Sequence, residues 1–315
     1  MVGPGQTVRI STGAPLPSGA DHVVIQEDAE RQAETLLVRG AATLGHIRRR
    51  GCDFARGDRL LAAGIRLNPW QLALATSAGA ATLTCGRQPV VALLATGDEL
   101  VEPGQPIGPD QIFNAGSPAL AAFITRHAAI PIRLTSAADT DDAIIAAINA
   151  ATFDVLVTIG GASVGDHDRV KPALRSLGAT IQVEGVAMRP GKPVWFATLP
   201  DGRLVLGLPG NPASALVCAE LFLAPILATL QGATVESRFQ TGVLTAPLAA
   251  NGPRDHYLRA KAASGPDGRL QVTPFPDQDS SLVTVMAAAN ALIRRPPHAP
   301  PAEAGDAVSV LAPTL

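Results

Sequence analysis

The fold of this chain is decided by residues 154–168, which read DVLVTIGGASVGDHD. An apolar run of strand length, 154–159, leads directly into Gly160-Gly161, and the sequence predicts a helix from about 169 to 177. Glycines let backbone N–H groups approach a phosphate, and a helix N-terminus adds partial positive charge. The stretch therefore predicts one strand–turn–helix unit of an α/β sheet, with an anion-binding turn.

Three polar side chains add chemistry to this turn. Ser163 can donate a hydrogen bond, and Asp166 and Asp168 place two carboxylates beside the glycines. The pattern is neither the dinucleotide fingerprint nor the P-loop, because the terminal Gly-Lys-Ser/Thr of the P-loop is missing. A phosphate site and an ordinary glycine-rich turn are both compatible with these residues.

Strands and helices alternate on both sides of this unit, from 90 to 232. Because the strands are continuously apolar, the alternation predicts a doubly wound, mostly parallel sheet. The predicted strands are 90–95, 131–134, 154–159, 180–186, 194–198 and 204–208. The predicted helices are 118–128, a helix capped by Asp139 or Thr140, 169–177, and a long helix at 212–230.

The flanking regions read mainly as β structure. Predicted strands lie at 7–10, 22–26 and 36–39, and a helix is predicted over 69–78; beyond 232 the predicted strands are 237–244, 257–262, 270–274, 291–295 and 307–311. The expected fold class is an α/β central domain with flanking β-rich domains, which makes a multidomain α+β chain overall. The expected divisions are a partial β-rich domain at 1–50, a linker or partial elongated domain at 51–89, the α/β domain at 90–232 and a β-rich domain at 233–315.

Composition excludes several classes of protein. Aromatic residues are only 3%, which argues against stacking of nucleic-acid bases. Lys+Arg number 25 and Asp+Glu 27, so no global field favours nucleic acid or membranes. The longest uncharged run, 67–86, is too polar to span a bilayer. Three widely spaced cysteines fit a reducing cytoplasm and give no disulfide or zinc framework.

A pair of acids follows the first predicted strand of the α/β domain. The sequence there is Thr96-Gly97-Asp98-Glu99-Leu100. Ligands of open α/β sheets bind outside the carboxyl ends of the strands, and Mg²⁺ typically takes one or two carboxylates while keeping its waters. Asp98 and Glu99 are therefore candidate magnesium ligands. A solvated turn with ordinary acids is the alternative.

Two further turns carry anion-binding chemistry. Residues 189–193 read RPGKP, in which proline and glycine hold two cations in a stiff turn that suits a phosphate or oxyanion; two surface cations in a hairpin are the alternative. Residues 208–214 read LPGNPAS, where free N–H groups at a helix start and the Ser214 hydroxyl form another candidate oxyanion site. Asn211 is also a candidate N-cap. We expect these turns to converge on one crevice.

Other catalytic patterns are missing from the sequence. The six histidines show no HExxH and no paired spacing, and no GxSxG elbow is present. A histidine or cysteine zinc site and hydrolysis by a nucleophilic triad therefore have no support. The basic run Arg48-Arg49-Arg50 is interpreted as a solvated face, with contact to an anionic substrate as the alternative.

With these motifs in order, the chain resembles the molybdopterin molybdenumtransferase family, also called MoeA and, in eukaryotes, the gephyrin E-domain type. The similarity covers essentially the whole chain. The matching stretches are STGAPLP at 11–17 with Gly19-Ala20-Asp21, TGDEL at 96–100 with Pro103-Gly104, residues 160–168, MRPGKP at 188–193, LPGNPAS at 208–214, and Gln278, Ser280 and Ala289-Asn290 near the C-terminus.

The resemblance implies insertion of molybdate into adenylylated molybdopterin, with release of AMP and use of Mg²⁺. It implies the acids Glu99, Asp139 and Asp168, with Asp98, Glu99 and Asp168 at the metal. Carried over by position or expected from the turns, the substrate-binding residues are Thr12, Gly160, Gly161, Ser163, Asp166, Arg189, Lys192, Pro209, Gly210, Asn211, Pro212, Ser214, Arg259 and Ser280. A homodimer is implied, and the upstream pterin adenylyltransferase is a candidate partner.

The sequence also departs from the family pattern. Gly185 stands where many members carry Lys, Gly116 where Asn is usual, and Asp279 where Gly is usual. The family normally has a further N-terminal segment before the Thr12 motif, with a Met-Asp-Gly-Tyr-Ala stretch whose Asp belongs to the site. These 315 residues contain no such stretch, which is consistent with a shortened reading frame, a truncated chain or a chain that does without it.

Two other functions compete with the transferase. A non-catalytic pterin-binding or scaffold module would follow from loss of the N-terminal acid. A pterin adenylyltransferase shares the central α/β domain, but the flanking β domains and the Thr12 motif disfavour it. Molybdate and tungstate are both tetrahedral dianions, so the sequence leaves the choice between them open.

Overall fold

The computed structural model describes residues 1–40, 44–97, 99–134, 140–160 and 169–312. The chain divides into two units, each described by itself. The first unit comprises Met1–Ala62 and Leu67–Ala81, and the second comprises Ala63–Arg66 and Thr82–Leu315. The division into 1–50, 51–89, 90–232 and 233–315 stays a prediction.

Sixteen strands and seven α-helices are named here in chain order, for the described residues. The strands are β1 (Ala29–Gln32), β2 (Thr35–Val38), β3 (Val90–Ala95), β4 (Leu100–Val101), β5 (Ile112–Phe113), β6 (Ile130–Arg133), β7 (Val155–Ile159), β8 (Thr180–Val183), β9 (Met188–Arg189), β10 (Trp195–Thr198), β11 (Leu204–Leu208), β12 (Phe239–Leu244), β13 (Asp255–Ser264), β14 (Leu270–Pro274), β15 (Ala291–Arg295) and β16 (Ala307–Leu311). The helices are α1 (Pro69–Ser77), α2 (Gly116–Arg126), α3 (Asp141–Ala150), α4 (Val170–Ser176), α5 (Pro212–Cys218), α6 (Ala224–Leu230) and α7 (Val283–Ala288).

The first unit contains the β1–β2 hairpin and helix α1. Helix α1 begins at a capping box: Asn68 Oδ1 accepts a hydrogen bond from Gln71 N at 2.9 Å, and Gln71 Oε1 accepts one from Asn68 N at 2.8 Å. Proline at the first helical position, Pro69, fits because its missing N–H is not needed there. The predicted helix over 69–78 is confirmed to within one residue.

Two strand predictions in this unit are wrong. Residues 7–10 form no strand, and within 22–26 only Val23 makes an isolated bridge. Residues Gln26–Asp28 instead form a 3₁₀-helix. Each short β-like segment needs a neighbouring strand to accept its backbone hydrogen bonds, and alternation alone does not supply one.

The second unit contains a six-stranded sheet whose strand order is β6-β3-β7-β11-β10-β8. The pairs β6–β3, β3–β7 and β7–β11 are parallel, and β11–β10 and β10–β8 are antiparallel. Alternate residues of β3 face opposite cores: Val91 and Leu93 pack with helices α2 and α5, whereas Ala92 and Leu94 pack with α3 and α4. The predicted mostly parallel, doubly wound sheet is confirmed.

The direction of winding reverses between β3 and β7. From β3 the chain crosses to β6 on one side and then returns to place β7 on the other side. Such a switch point opens a crevice at the carboxyl ends of the two strands, where ligands of doubly wound sheets bind. The topology therefore locates a candidate site at residues 96–100 and after Ile159.

A continuous helical segment from Pro212 to Leu230 covers one face of this sheet. Helices α5 and α6 are joined by a π-helical turn, Ala219–Leu223. Its Glu220 is buried and accepts a 2.6 Å hydrogen bond from Arg238 Nη2. Pro212–Leu230 is long and apolar enough to cross a membrane, but 56% of its most apolar window is buried inside the protein, as in the core helix of a soluble fold.

The C-terminal strands form a closed sheet. The strand order is β14-β12-β16-β15-β13-β9, and an additional β14–β13 pairing closes five strands into a barrel. The short strand β9 belongs in sequence to the α/β region, yet it pairs in parallel with β13, Met188 opposite Asp255 and Arg189 opposite His256. This pairing joins the two sheets of the second unit beside the candidate site.

Candidate functional site

Three strand ends are in backbone contact at the carboxyl edge of the α/β sheet. Thr96 N donates to Ile159 O at 3.2 Å, and Gly160 N donates to Leu208 O at 3.3 Å. Gly160 has a φ of +86°, and a Cβ atom there would lie 2.9 Å from Thr96 O. Only glycine therefore allows β3, β7 and β11 to end this close together.

A cleft of about 560 Å³ opens beside this junction, and we call it the basic cleft. It exposes three cationic side chains, those of Arg189, Lys192 and Arg254. Such a surface suits an anionic ligand. The lining residues are Gly160, Met188, Arg189, Pro190, Gly191, Lys192, Pro193, Pro209, Gly210, Asn211, Ser214, Arg254, Gln278, Asp279 and Ser280.

The cations at 189 and 192 are held by a tightly constrained turn. Arg189 is fixed at one end by the pairing of β9 with β13, and the Arg189–Pro190 peptide bond is cis. Gly191 has a φ of +109°, and a Cβ atom there would lie 2.5 Å from Cys218 Sγ. The turn thus packs directly on helix α5, and glycine at position 191 is required.

The start of helix α5 forms the opposite wall. Asn211 occupies the N-cap position, but its side chain makes no capping hydrogen bond and instead donates from Nδ2 to Ser280 Oγ at 3.1 Å. Pro209 and Ser214, both buried, line the basic cleft. Pro212, the first residue of the helix, does not line it. The predicted N-cap role of Asn211 therefore gives way to a contact with the C-terminal part of the chain.

The C-terminal part of the chain contributes Ser280 to the lining, and Arg259 on β13 lies behind it. Arg259 is 1% exposed. Its Nη1 donates to Asp279 O at 2.9 Å and its Nε donates to Gln278 Oε1 at 3.2 Å. Burial, the largest effect, lowers the pKa of Arg259; the charges of Asp277 and Asp279 oppose this shift, and the positive charge of Arg189 adds to it.

The protonation of two other groups, His256 and Asp279, affects the charge near the cleft. Burial, with the charges of Arg189 and Arg259, lowers the pKa of His256 to about 4, so this histidine is neutral at pH 7. Hydrogen bonds from Ser281 lower the pKa of Asp279, with a further contribution from the nearby arginines. Asp279 is therefore ionised and offsets part of the positive charge.

Of the predicted acids, the structure describes Glu99. Its carboxylate folds back over Gly97, where a Cβ atom would lie 2.6 Å from both oxygens. Glu99 is exposed at the carboxyl edge of the sheet and is not among the residues that line the basic cleft. The predicted residues Asp98, Asp139, Gly161, Ser163, Asp166 and Asp168 lie outside the described residues.

The sequence analysis gave no site role to three polar residues that line the basic cleft: Arg254, Gln278 and Asp279. Gln278 and Asp279 adjoin the predicted Ser280, so that prediction could have been extended to its neighbours. Arg254 follows a Gly-Pro pair and carries no local signal of a site. Thr12, predicted to line the ligand, is an exposed residue of the first unit.

Three family profiles match the chain in succession. Residues 1–79 match the MoeA N-terminal region (domain I and II). Residues 92–229 match a family described as a probable molybdopterin binding domain, and residues 241–312 match the MoeA C-terminal region (domain IV). The basic cleft combines residues from the second and third of these regions.

A relative from Bacillus subtilis strain 168 named molybdopterin molybdenumtransferase is 37% identical over 318 residues, which cover 98% of this chain and 74% of the relative. The chain belongs to the molybdopterin molybdenumtransferase family, MoeA. A further relative of that name, from Nostoc sp. strain PCC 7120, is 38% identical over 73% of this chain, and the match spans only 54% of the relative. The name describes a transferase that acts in molybdenum cofactor biosynthesis.

A solved structure supports the same assignment. The crystal structure of a molybdopterin biosynthesis MoeA protein from Pyrococcus horikosii superposes with a TM-score of 0.78 at 30% sequence identity. The superposition covers 100% of this chain and 77% of that protein. The MoeA fold therefore extends over the whole length of this chain.

Proposed function

We propose that this MoeA protein transfers molybdate into adenylylated molybdopterin and releases AMP. The observation that carries the proposal is the basic cleft, which lies at the strand ends of the molybdopterin-binding region and is completed by Arg254 and Ser280 from the MoeA C-terminal region. Both substrates are anions, and the cleft presents fixed cations beside glycines that admit close approach.

The cations have a defined role in this proposal. Arg189 and Lys192 bind oxyanions of the pterin phosphate or of molybdate, and the stiff turn between them keeps their separation constant. When AMP leaves, negative charge develops on the oxygens of the phosphate group that departs. Cations already held in place stabilise that charge without reorganisation.

The glycines supply close backbone approach. Gly160 and Gly210 both line the basic cleft, and a Cβ atom on Gly210 would lie 3.5 Å from Gly160 Cα. A phosphate in the cleft can therefore approach the backbone of both glycines, which present no side chain to it. We assign this part of the cleft to the phosphates of the substrate.

A magnesium site remains a proposal based on the predicted acids. Within the described residues, no group of three His, Cys, Asp or Glu side chains could hold a metal ion. Glu99 alone does not make a site, and Asp98 and Asp168 lie outside the described ranges. No step above depends on the metal; when bound, Mg²⁺ would neutralise phosphate charge.

We further propose a cytoplasmic homodimer that receives its substrate from a pterin adenylyltransferase. Helix α1 supports the dimer, because Trp70 is 84% exposed and Leu72 is 48% exposed, and subunit contacts typically cover such apolar surface. The exposed free thiols of Cys52 and Cys85 fit a reducing compartment. The adenylyltransferase would make the adenylylated pterin that this protein consumes.

An assay of AMP release tests the proposed activity. The purified chain is incubated with adenylylated molybdopterin, molybdate and Mg²⁺, and AMP is followed with time. We expect release that requires molybdate, that Glu99→Gln abolishes, and that Lys192→Gln slows about tenfold or more, because a charged hydrogen bond is lost. Lys261→Gln, at an exposed position of β13 outside the cleft, is the matched control.

The same assay separates the alternatives. Tight binding of the adenylylated pterin without AMP release would make the protein a binding module. Formation of adenylylated pterin from ATP would make it an adenylyltransferase. Either outcome contradicts the proposed transfer of molybdate.

A further inference from the structure

The side chain of Gln278 uses its whole hydrogen-bonding capacity, with three bonds to Arg259 and one to Phe275. Its Oε1 accepts from Arg259 N at 2.9 Å and from Arg259 Nε at 3.2 Å. Its Nε2 donates to Arg259 O at 2.9 Å and to Phe275 O at 2.8 Å. A glutamine amide has two acceptor positions and two donors, so none is left over.

Arg259 is an unusual buried cation. Its exposed fraction is 1%, and the carboxylates whose charges act on it, Asp277 and Asp279, form no ion pair with it within the part of the chain that the structure describes. Nη1 is held by the carbonyl of Asp279, and in the same part of the chain Nη2 has no hydrogen-bond partner. A buried charge is costly unless an opposite charge compensates it, and Asp277 and Asp279 do so only in part, because burial still lowers the pKa of Arg259. An anion bound in the basic cleft would add to that compensation.

The two residues that hold Arg259 belong to the wall of the basic cleft. Gln278 and Asp279 both line it, and Ser280 follows with its hydroxyl bound by Asn211. The guanidinium therefore lies directly behind the wall and is hydrogen-bonded to two of its residues, Gln278 and Asp279. Its positive charge is close enough to act on a ligand in the cleft. Arg189, on the other side of that wall, is near enough to lower the pKa of Arg259.

We propose that Gln278 is a positioning residue for the oxyanion site: it locks the backbone and Nε of Arg259 so that the buried charge and the Asp279–Ser280 wall face the bound molybdate. The inference rests on the proposed function. Gln278 touches neither reacting atom in this scheme and acts through Arg259. Its loss should weaken oxyanion binding more than it slows the reaction once molybdate is saturating.

Two substitutions test this role on the full chain. Gln278→Met keeps the length of the side chain and removes all four hydrogen bonds. Gln278→Glu keeps both acceptor contacts with Arg259, loses the two Nε2 donors, and adds a negative charge beside the cleft. Gln240→Met, at an exposed position of β12, is the matched control.

The measurements are the dissociation constant of molybdate by calorimetry and the KM and kcat of AMP release, with melting temperature as a check on folding. We expect Gln278→Met to raise the dissociation constant and KM about tenfold, the cost of hydrogen bonds to a charged group, with kcat within twofold of wild type. Gln278→Glu should raise them further, because the new charge repels the dianion and pairs with Arg259. Gln240→Met should match wild type.

The outcomes are distinct. If wild type binds molybdate and both Gln278 variants bind it within twofold of wild type, the positioning role is overturned while the proposed function stands. If Gln278→Met fails to fold, Gln278→Asn takes its place, because this shorter amide stays neutral and cannot reach all four partners; molybdate binding within twofold of wild type would then overturn the positioning role. A wild-type protein that binds no molybdate and releases no AMP overturns both proposals.

Discussion

At the scale of single residues, Asp279 is the acidic side chain among the described residues that line the basic cleft, and it limits the positive charge there. Its carboxylate accepts hydrogen bonds from Ser281 N at 2.8 Å and Ser281 Oγ at 2.7 Å, and it therefore stays ionised. A carboxylate in the wall of an oxyanion site repels the ligand, even though this one also orders the turn that precedes helix α7. One residue thus serves the local fold at a cost to anion affinity.

Replacing Asp279 separates these two roles. Asp279→Asn keeps an oxygen acceptor for Ser281 and removes the negative charge, so molybdate should bind about threefold more tightly at low salt. The gain should shrink as salt screens the charges. Calorimetric titration at two ionic strengths measures both effects. Asp267→Asn, in the distant β13–β14 turn, should change nothing; equal affinity of the Asp279→Asn protein and wild type would contradict the argument.

At the scale of elements, the antiparallel pair β10–β11 depends on one close contact. Trp195 is fully buried and lies opposite Gly207, where a Cβ atom would be 1.9 Å from Trp195 Nε1. The indole therefore occupies the space that any larger residue at 207 would need. This contact sets the spacing of the antiparallel half of the sheet.

Gly207→Ala should consequently destabilise the second unit. We expect the free energy of unfolding to fall by about 3 kcal/mol, because the buried indole has little room to move away from the new methyl group. Urea denaturation followed by tryptophan fluorescence measures the change. Gly252→Ala is the control, since no atom lies within 4 Å of its Cβ position. A loss below about 1 kcal/mol would show that the sheet adapts more easily than this packing implies.

Strand β13 carries a pH-dependent contribution to stability. The pKa of His256 is about 4 in the folded chain, because of burial and of Arg189 and Arg259, and about 6.5 when unfolded. The unfolded chain therefore binds the proton more readily, and stability falls as pH decreases from about 6.5 to 4. Above that range both states are neutral and the effect vanishes.

His256→Gln removes this titration. Between pH 7 and pH 5 the melting temperature of the variant should fall less than that of wild type, whereas His46→Gln, at an exposed position, should follow wild type. Scanning calorimetry at several pH values provides the comparison. Parallel curves for wild type and His256→Gln would show that the imidazole does not stay neutral in the fold.

Sequence reasoning succeeded where one strand or helix carries its own pattern. Five strands have the bounds that the sequence predicts: β3, β11, β14, β15 and β16. Pro69 likewise marks the start of α1, as predicted. Sequence reasoning failed where pairing is non-local: residues 7–10 found no neighbour, and Met188–Arg189 became a strand only because β13 lies beside it. The predicted strand at 180–186 ends at Val183, before Gly185 with a φ of +151°.

The candidate site shows the same division. The turns at 189–193 and 208–214 were predicted from local chemistry, and both line the basic cleft. The hydrogen bond from Asn211 to Ser280 spans 69 residues of sequence, and no local pattern predicts it. Gln278 was likewise missed as a site residue, because its role appears only when its four hydrogen bonds with Arg259 and Phe275 are seen.

At the scale of the whole molecule, the two units differ in how much of their structure is buried. Among the described residues of the first unit only Ala75 is buried, whereas the second unit contains three apolar cores. Hydrophobic burial is the main contribution to folding stability, so the first unit has little stability of its own. Its backbone hydrogen bonds should open more often than those of the central sheet.

Hydrogen exchange measures this difference directly. In the full chain, the amides of β1 and β2 should exchange at least a hundredfold faster than those of β3 and β7, because their protection comes from a two-stranded hairpin. Mass spectrometry of peptides from both regions gives the rates. Equal protection would show that contacts other than those within the first unit stabilise it.

The pairing of β9 with β13 also determines how the gene could be divided. A split after Gly232 would produce one polypeptide that carries Met188–Arg189 and another that carries the barrel strand to which they bind. Each fragment would then display an open backbone edge that only the other can satisfy. Halves that are produced separately and then mixed should therefore associate. The recovery of molybdate binding on mixing would report how strongly that short strand joins them.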